Sequence, residues 1–354
     1  MMDYIKISGY KSIKEIHLDL KPINILIGAN GSGKSNFISF FEFLNNLYEK
    51  KLSEYVALKG GEDKLLHKGS KNTSELIFEV SFDHKKNGYS AHLIWGEDGL
   101  VFKNEFLLYK GDKSRNISTY RNEANIKSTD NSRAPYIKRY LDRLQKYHFH
   151  DTSKNSPFTK MSNVGTDSFF LYEEGQNLAA FLFDIRKENK TVYQRIIKTI
   201  QSIAPFFSDF FLQPNSEGYL KLTWQDKYGS IVYGPNDFSD GTLRFIALTT
   251  LFMQPRLPDT IIIDEPELGL HPFAIAKLAG MIKSAASKGK QVIVATQSME
   301  LVNHFTPEDI ITVDQVEGES HFKRLQSEDL SHWLEEYSVG ELWQRNILRG
   351  GQPK

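Results

Sequence analysis

The stretch that most limits what this chain can fold into is Gly28-Ala29-Asn30-Gly31-Ser32-Gly33-Lys34-Ser35, a fit to the phosphate-cradling pattern G-x-x-x-x-G-K-[ST]. An apolar run, Ile23 to Ile27, leads into it, and Phe37, Ile38, Phe40, Phe41, Leu44 and Leu47 follow at helical spacing. Strand, glycine-rich loop and helix, in that order, are the setting in which the pattern carries chemistry. The glycines let successive N–H groups turn inward around an anion, and the helix start adds its positive dipole end. Asn30, Gly31, Ser32, Gly33, Lys34 and Ser35 are therefore the candidate triphosphate contacts. Lys34 is expected at the β- and γ-phosphates and the Ser35 hydroxyl on Mg²⁺.

Far downstream, Thr260 to Ile263 is an apolar, β-branched run that suits a buried parallel strand. It ends in Asp264-Glu265-Pro266. A carboxylate at the end of a strand beside the loop strand can hold Mg²⁺ through its waters, the role assigned to Asp264; Glu265 then polarises the attacking water. Two acids that merely cap a strand end are the alternative reading. Phe238-Ser239-Asp240-Gly241-Thr242-Leu243-Arg244 stands immediately before a helical pattern. Taken alone, Ser239 as an ordinary N-cap explains it as well.

Charge and composition narrow the partners. Lys plus Arg and Asp plus Glu number 44 each, so no global field draws the chain to nucleic acid or membrane. The absence of cysteine excludes disulfides, thiol catalysis and thiolate metal sites. No apolar stretch approaches the ~20 residues needed to span a bilayer, and the N-terminus lacks a signal peptide's apolar core. A soluble, cytoplasmic protein without a membrane partner is expected.

Periodicity predicts strands at 4–7, 16–20, 75–82, 90–95 and 100–109, with turns at Asn87-Gly88 and Asp98-Gly99. Residues 111–133 are polar and turn-rich, and 135–147 has helical spacing. Helices follow at 177–186, 191–203 and 241–253, and another opens at Pro272 and closes at Gly289. A strand at 291–295, hairpins at 219–233 and 310–325, and a helical tail from about Glu328 complete the reading. His148 and His150 share a strand face, but no third and fourth metal ligand is evident. The lysines between Lys50 and Lys71 are interrupted by Glu54, Glu62 and Asp63 and read as a solvated face.

Together these motifs resemble an ABC-type ATPase of the SMC/RecF-like branch, in its stand-alone AAA-family form without a long coiled coil. The resemblance covers roughly residues 1–85 and 165–350. It implies an α/β P-loop head with a mainly parallel sheet and an antiparallel β subdomain. That head would be a single domain over 1–354, with a helical or irregular insertion at 110–170 and a helical tail at 328–354. In that branch a Ser-Gly-Gly-type signature faces the γ-phosphate held by the other subunit; here Ser239 and Gly241 match, and Asp240 departs from glycine. Glu267 to Pro272 resembles the segment that crosses the dimer interface. Val292 to Ser298 resembles the switch strand, with Gln297 orienting water or touching the γ-phosphate. Ile7 to Ser12 resembles the opening strand and turn near the adenine, which makes Tyr10 and Lys11 candidate contacts, a plain surface turn being the alternative. Gln176 is a candidate for the loop glutamine that watches Mg²⁺, Asn177 as a plain helix cap being the alternative reading of the same stretch. The resemblance implies ATP and Mg²⁺ as ligands, hydrolysis, and a homodimer closed by ATP. It further implies DNA maintenance or anti-phage defence, with a separately encoded nuclease and DNA as further partners. A non-catalytic nucleotide-gated module and the ATPase subunit of a transporter are the other two readings. Gln297, Leu270-His271-Pro272 and the inserted lobe weigh against the transporter.

Overall fold

The computed structural model describes residues 1–96, 99–118 and 120–348, and the chain divides into two compact units. One comprises residues 1–144, 258–262 and 289–354; the other comprises 145–257 and 263–288.

The first unit is built on two sheets. Ile13–Asp19, Met2–Tyr10, Glu75–Phe82, Asn87–Gly96, Gly99–Tyr109 and Asp112–Lys113 form an antiparallel sheet in that order. Alternation gives it one apolar face, as in Ile13–Asp19, where Ile16 and Leu18 are buried while Glu15, His17 and Asp19 are exposed. The second sheet runs Glu319–Arg324, Ile310–Val316, Ile23–Ile27, Gln291–Thr296, Thr260–Asp264, and the chain leaves the unit after Ile262 of that last strand. Every residue of Ile23–Ile27 is buried, paired in parallel with Gln291–Thr296 on one side and Ile310–Val316 on the other.

The helix Lys34–Tyr48 follows the glycine loop and buries Phe37, Phe40, Phe41, Phe43, Leu44 and Leu47. Phe40 and Phe43 meet Phe78 of the antiparallel sheet, with ring centroids 5.5 and 6.2 Å apart. Each such ring removed from water contributes about 1.5–3 kcal/mol. Phe40→Ala, costing about 3–5 kcal/mol, is the change that would most loosen this contact. The helix stops where Lys50 turns left-handed at φ +60.

Three expectations need correction. The turn before Asn87–Gly96 lies at 83–86, with positive φ at Asp83, His84 and Lys85, and not at Asn87-Gly88. Gly88 is required inside the strand, because a Cβ there would lie 2.8 Å from the Val80 carbonyl oxygen. The other expected turn includes Asp98, which lies outside the described residues. The helical pattern at 135–147 splits into the helix Ala134–Leu141 and the strand Leu144–Tyr147, whose end residues are buried. Finally, the strand carrying the acids is not beside the loop strand: Gln291–Thr296 stands between them.

In the second unit the helices Leu178–Glu188, Lys190–Gln201, Asp240–Met253 and Pro272–Ser287 pack in consecutive pairs. Asn189 caps the second, its side chain accepting from the Val192 N–H at 3.1 Å. A small sheet joins Phe207–Phe210, Trp224–Asp226 and Val232–Tyr233, while Tyr219–Leu220 pairs with Ser162–Asn163 and not within the expected hairpin. The Trp224 ring stacks on Tyr233 at 4.6 Å and on Phe238 at 4.3 Å. That stack fixes the residue immediately before Ser239. The tail forms Ser327–Leu334 and Val339–Gln344, the latter packed on Met299–Val302 of the first unit. Among the described residues no helix is long and apolar enough to cross a membrane.

A candidate nucleotide site

Close packing dictates the glycines of the loop. A Cβ on Gly28 would meet the Val313 carbonyl oxygen at 2.3 Å, and one on Gly33, at φ +110, would meet Ser320 Oγ at 1.9 Å. Gly31, at φ +78, faces open space. Asn30, Gly31 and Ser35 are exposed, whereas Ser32, Gly33 and Lys34 are buried. The Lys34 ammonium turns back on the loop and donates to the carbonyls of Gly28 at 2.7 Å and Ala29 at 3.0 Å. Ser32 Oγ is buried and has no hydrogen-bond partner among the described residues.

The loop is braced by residues that sequence reasoning missed. The Ser320 hydroxyl lies 2.7 Å from both Ser12 Oγ and the Ser32 carbonyl oxygen, and Asn36 Nδ2 donates to Ser12 Oγ at 2.8 Å. Ser12 and Ser320 are 308 residues apart, so no local spacing could reveal the pair.

Tyr10 and Lys11 have different fates. The Tyr10 ring is wholly buried against Phe40 and Phe43, and its hydroxyl is 3.0 Å from Ser39 Oγ. Burial raises its pKa well above the ordinary value. Tyr10 is a core residue, because the phenylalanines of the adjoining helix give its ring an apolar slot, and its side chain is not part of a surface turn. Lys11 reaches Ser39 Oγ at 2.8 Å. With Ser12, Asn36, Asp63, Lys64 and Lys68 it lines an open groove of about 530 Å³. Thr296 pairs with Ile27 in parallel register, so the exposed Gln297 emerges beside Gly28.

The acids belong to the second unit. Glu265 has φ +42, a left-handed conformation that costs a non-glycine residue about 1–2 kcal/mol. Strain of this kind concentrates where geometry serves function. His150 Nε2 lies 2.8 Å from the Asp264 carbonyl oxygen. A carbonyl only accepts, so that nitrogen carries the proton. The His148 ring sits 4.2 Å from that of His150, and burial, followed by the neighbouring His150, holds its pKa below 6.5.

Ser239 is the N-cap of Asp240–Met253, its Oγ accepting from the Thr242 N–H at 3.2 Å. Ser239 and Asp240 are exposed. Gly241 is pressed against the segment after the acids, since a Cβ there would lie 2.2 Å from the Gly269 carbonyl oxygen. One turn on, Arg244 donates through Nη1 to Leu268 O and through Nη2 to His150 O, each at 2.9 Å. A single guanidinium thus joins the helix that Ser239 opens to both flanks of Asp264 and Glu265. Asn177 stands at the N-cap position of Leu178–Glu188, yet its side chain does not cap. It is buried, accepting from Tyr172 N–H at 2.9 Å and donating to Asp167 O and Phe170 O at 2.7 Å, and so folds the preceding loop. Gln176 Oε1 is buried without a partner among the described residues.

The residues present fit a triphosphate and Mg²⁺. The loop excludes Cβ atoms at Gly28 and Gly33, holds a buried unpartnered hydroxyl at Ser32, and carries an ammonium at Lys34. In the first unit Ser35 offers an exposed hydroxyl oxygen, a hard donor of the kind Mg²⁺ takes beside its several waters.

A family model described as "AAA domain, putative AbiEii toxin, Type IV TA system" matches residues 23–303. The Old nuclease of Escherichia phage P2 is 21% identical over 350 residues, which cover 84% of this chain and 56% of that protein. The energy-coupling factor transporter ATP-binding protein EcfA2 of Lactobacillus delbrueckii subsp. bulgaricus is 27% identical over 124 residues, 34% of this chain and 42% of that one. The matched stretches thus span about half the length of these two curated relatives. An SMC head solved bound to the C-winged helix domain of ScpA superposes with a TM-score of 0.64 at 17% identity, covering 94% of this chain and 99% of that one. A Pyrococcus furiosus SMC head with an extended coiled coil gives 0.55 at 18% identity, covering 95% and 98%. The fold is that of an ABC-type P-loop head.

Proposed function

The chain belongs to this AAA-domain family, ATPases of the ABC- and SMC-like type, and from that premise we propose that it hydrolyses ATP with Mg²⁺ and uses ATP binding to close a head-to-tail pair of chains. The observation that carries this reading is the loop itself: Cβ atoms are excluded at Gly28 and Gly33, and the Lys34 ammonium is parked on carbonyls of the same loop. On binding, Lys34 exchanges those carbonyls for β- and γ-phosphate oxygens, while N–H groups from Asn30 to Ser35 surround the phosphates. Lys11 serves the nucleoside end, and Gln297 contacts the γ-phosphate or its water. Ser35 and Asp264 would hold Mg²⁺, which would supply neutralisation of the charge developing on the phosphoryl group. Glu265 aligns the attacking water for in-line displacement. Ser239 and Gly241, at an exposed helix start, present N–H donors to the γ-phosphate of the partner chain, with the Asp240 carboxylate turned away.

The family description and the likeness to the Old nuclease favour a cytoplasmic switch in anti-phage defence or DNA maintenance, coupled to a separately encoded nuclease acting on DNA. Light scattering on Glu265→Gln tests the pairing. With Mg²⁺ and ATP the mass should double, and Lys34→Ala or Ser239→Arg should hold it at one chain. A Glu265→Gln protein that binds ATP yet stays monomeric refutes head-to-tail closure.

A further inference from the structure

The second unit carries a groove that none of the chemistry above uses. It lies where the helices Lys190–Gln201 and Pro272–Ser287 flank the end of Asp240–Met253, and it encloses about 280 Å³. Phe252, Met253 and Met281 give it apolar lining, and Arg195, Lys277 and Lys288 give it cations. We propose that this groove docks an acidic segment of a partner protein, one apolar side chain entering the groove between flanking carboxylates.

Charge is the first argument. The two flanking helices carry Lys190, Arg195, Lys198, Lys277 and Lys283 and not one Asp or Glu, in a chain whose charges cancel overall at 44 against 44. Among the described residues Arg195, Lys277 and Lys288 make no ion pair; Lys277 instead lies over the Phe273 ring at 4.9 Å. Surface charges on a helix are ordinarily interspersed with the opposite sign, which lowers their mutual repulsion. A one-signed groove is relieved by an anionic partner, which also gains in association rate. Shape is the second argument. Two methionines adapt to an incoming side chain, and Phe273, 53% exposed, extends the apolar surface by one turn beyond Lys277. A nucleic-acid backbone would meet the cations but leave this apolar lining without a partner, whereas an amphipathic acidic peptide satisfies both. The proposal is independent of ATP turnover.

The test uses the full chain and four fluorescent probes: a peptide alternating glutamate with leucine, the same peptide with lysine for glutamate, the same peptide with serine for leucine, and a short DNA duplex. The acidic peptide should bind, more weakly as salt rises, and the lysine peptide should not. Reversing Arg195, Lys277 and Lys288 together to Glu should weaken acidic-peptide binding by at least about tenfold, with circular dichroism and ATP-driven phosphate release unchanged. Met281→Ala should weaken the leucine peptide but not its serine counterpart. Failure of the acidic peptide to bind overturns the proposal, as does unchanged binding by the triple variant. Tighter binding of the duplex, lost in the triple variant, overturns it in favour of nucleic acid.

Discussion

Arg244 offers the sharpest structural test. Its guanidinium makes two charge-assisted hydrogen bonds of 2.9 Å, to Leu268 O and to His150 O, and each such bond is worth about 1.5–3 kcal/mol when well shielded. Two terms reduce that sum. Leu268 is exposed, so water replaces much of its lost donor, and Arg244 Nε is buried without a partner, a cost that truncation removes. Arg244→Ala should therefore destabilise by about 2–3 kcal/mol, or roughly 4–12 °C of unfolding midpoint at 2–4 °C per kcal/mol. Arg244→Lys keeps a point charge that can serve one carbonyl, not both, and should recover about half. Urea unfolding of the three proteins, followed by far-ultraviolet circular dichroism, measures this. A loss under about 0.5 kcal/mol in Arg244→Ala, or full recovery in Arg244→Lys, would refute the claim that this side chain joins the helix to both flanks of the acids.

Further expectations concern strain, space and pH. Glu265→Asn, placing at φ +42 a residue that tolerates the left-handed region, should gain about 1 kcal/mol of stability while phosphate release falls at least about 100-fold. Gly33→Ala should abolish ATP binding measured by calorimetry, because the new Cβ needs the space held by Ser320 Oγ. Glu105 is fully buried, accepting from Tyr89 OH at 2.8 Å and from the Asn125 and Ile126 N–H groups at 2.9 Å; burial raises its carboxyl pKa above 4.5. A folded pKa above the unfolded value contributes stability that is full below about 4.5 and is lost as pH rises through the folded pKa. Glu105→Gln does not titrate, so its stability deficit relative to wild type should shrink as pH rises above 4.5; a deficit that grows would contradict this sign.

The loop and its flanks were legible in the sequence because strand, glycine turn and helix are local: Ile23–Ile27 and Lys34–Tyr48 stand where the spacing put them. The acids were legible for the same reason, as the end of one apolar run. What surrounds them was not. Tyr10 reads as part of a surface turn by position, and only the phenylalanine slot withdraws it. Gly88 looks like a turn signal, yet the Val80 carbonyl is what requires a glycine there. Ser320, His150 and Arg244 act through partners in distant segments, 288, 114 and 94 residues away. Contacts of that span leave no periodic mark.

The central claim is that Lys34 and Glu265 serve a single hydrolytic event. Single-turnover release of the γ-phosphate from ATP, with ATP affinity measured alongside, tests it most directly. Wild type should release phosphate, Glu265→Gln should bind ATP with little or no release, and Lys34→Ala should lose binding. Release by Glu265→Gln at the wild-type rate would contradict the account.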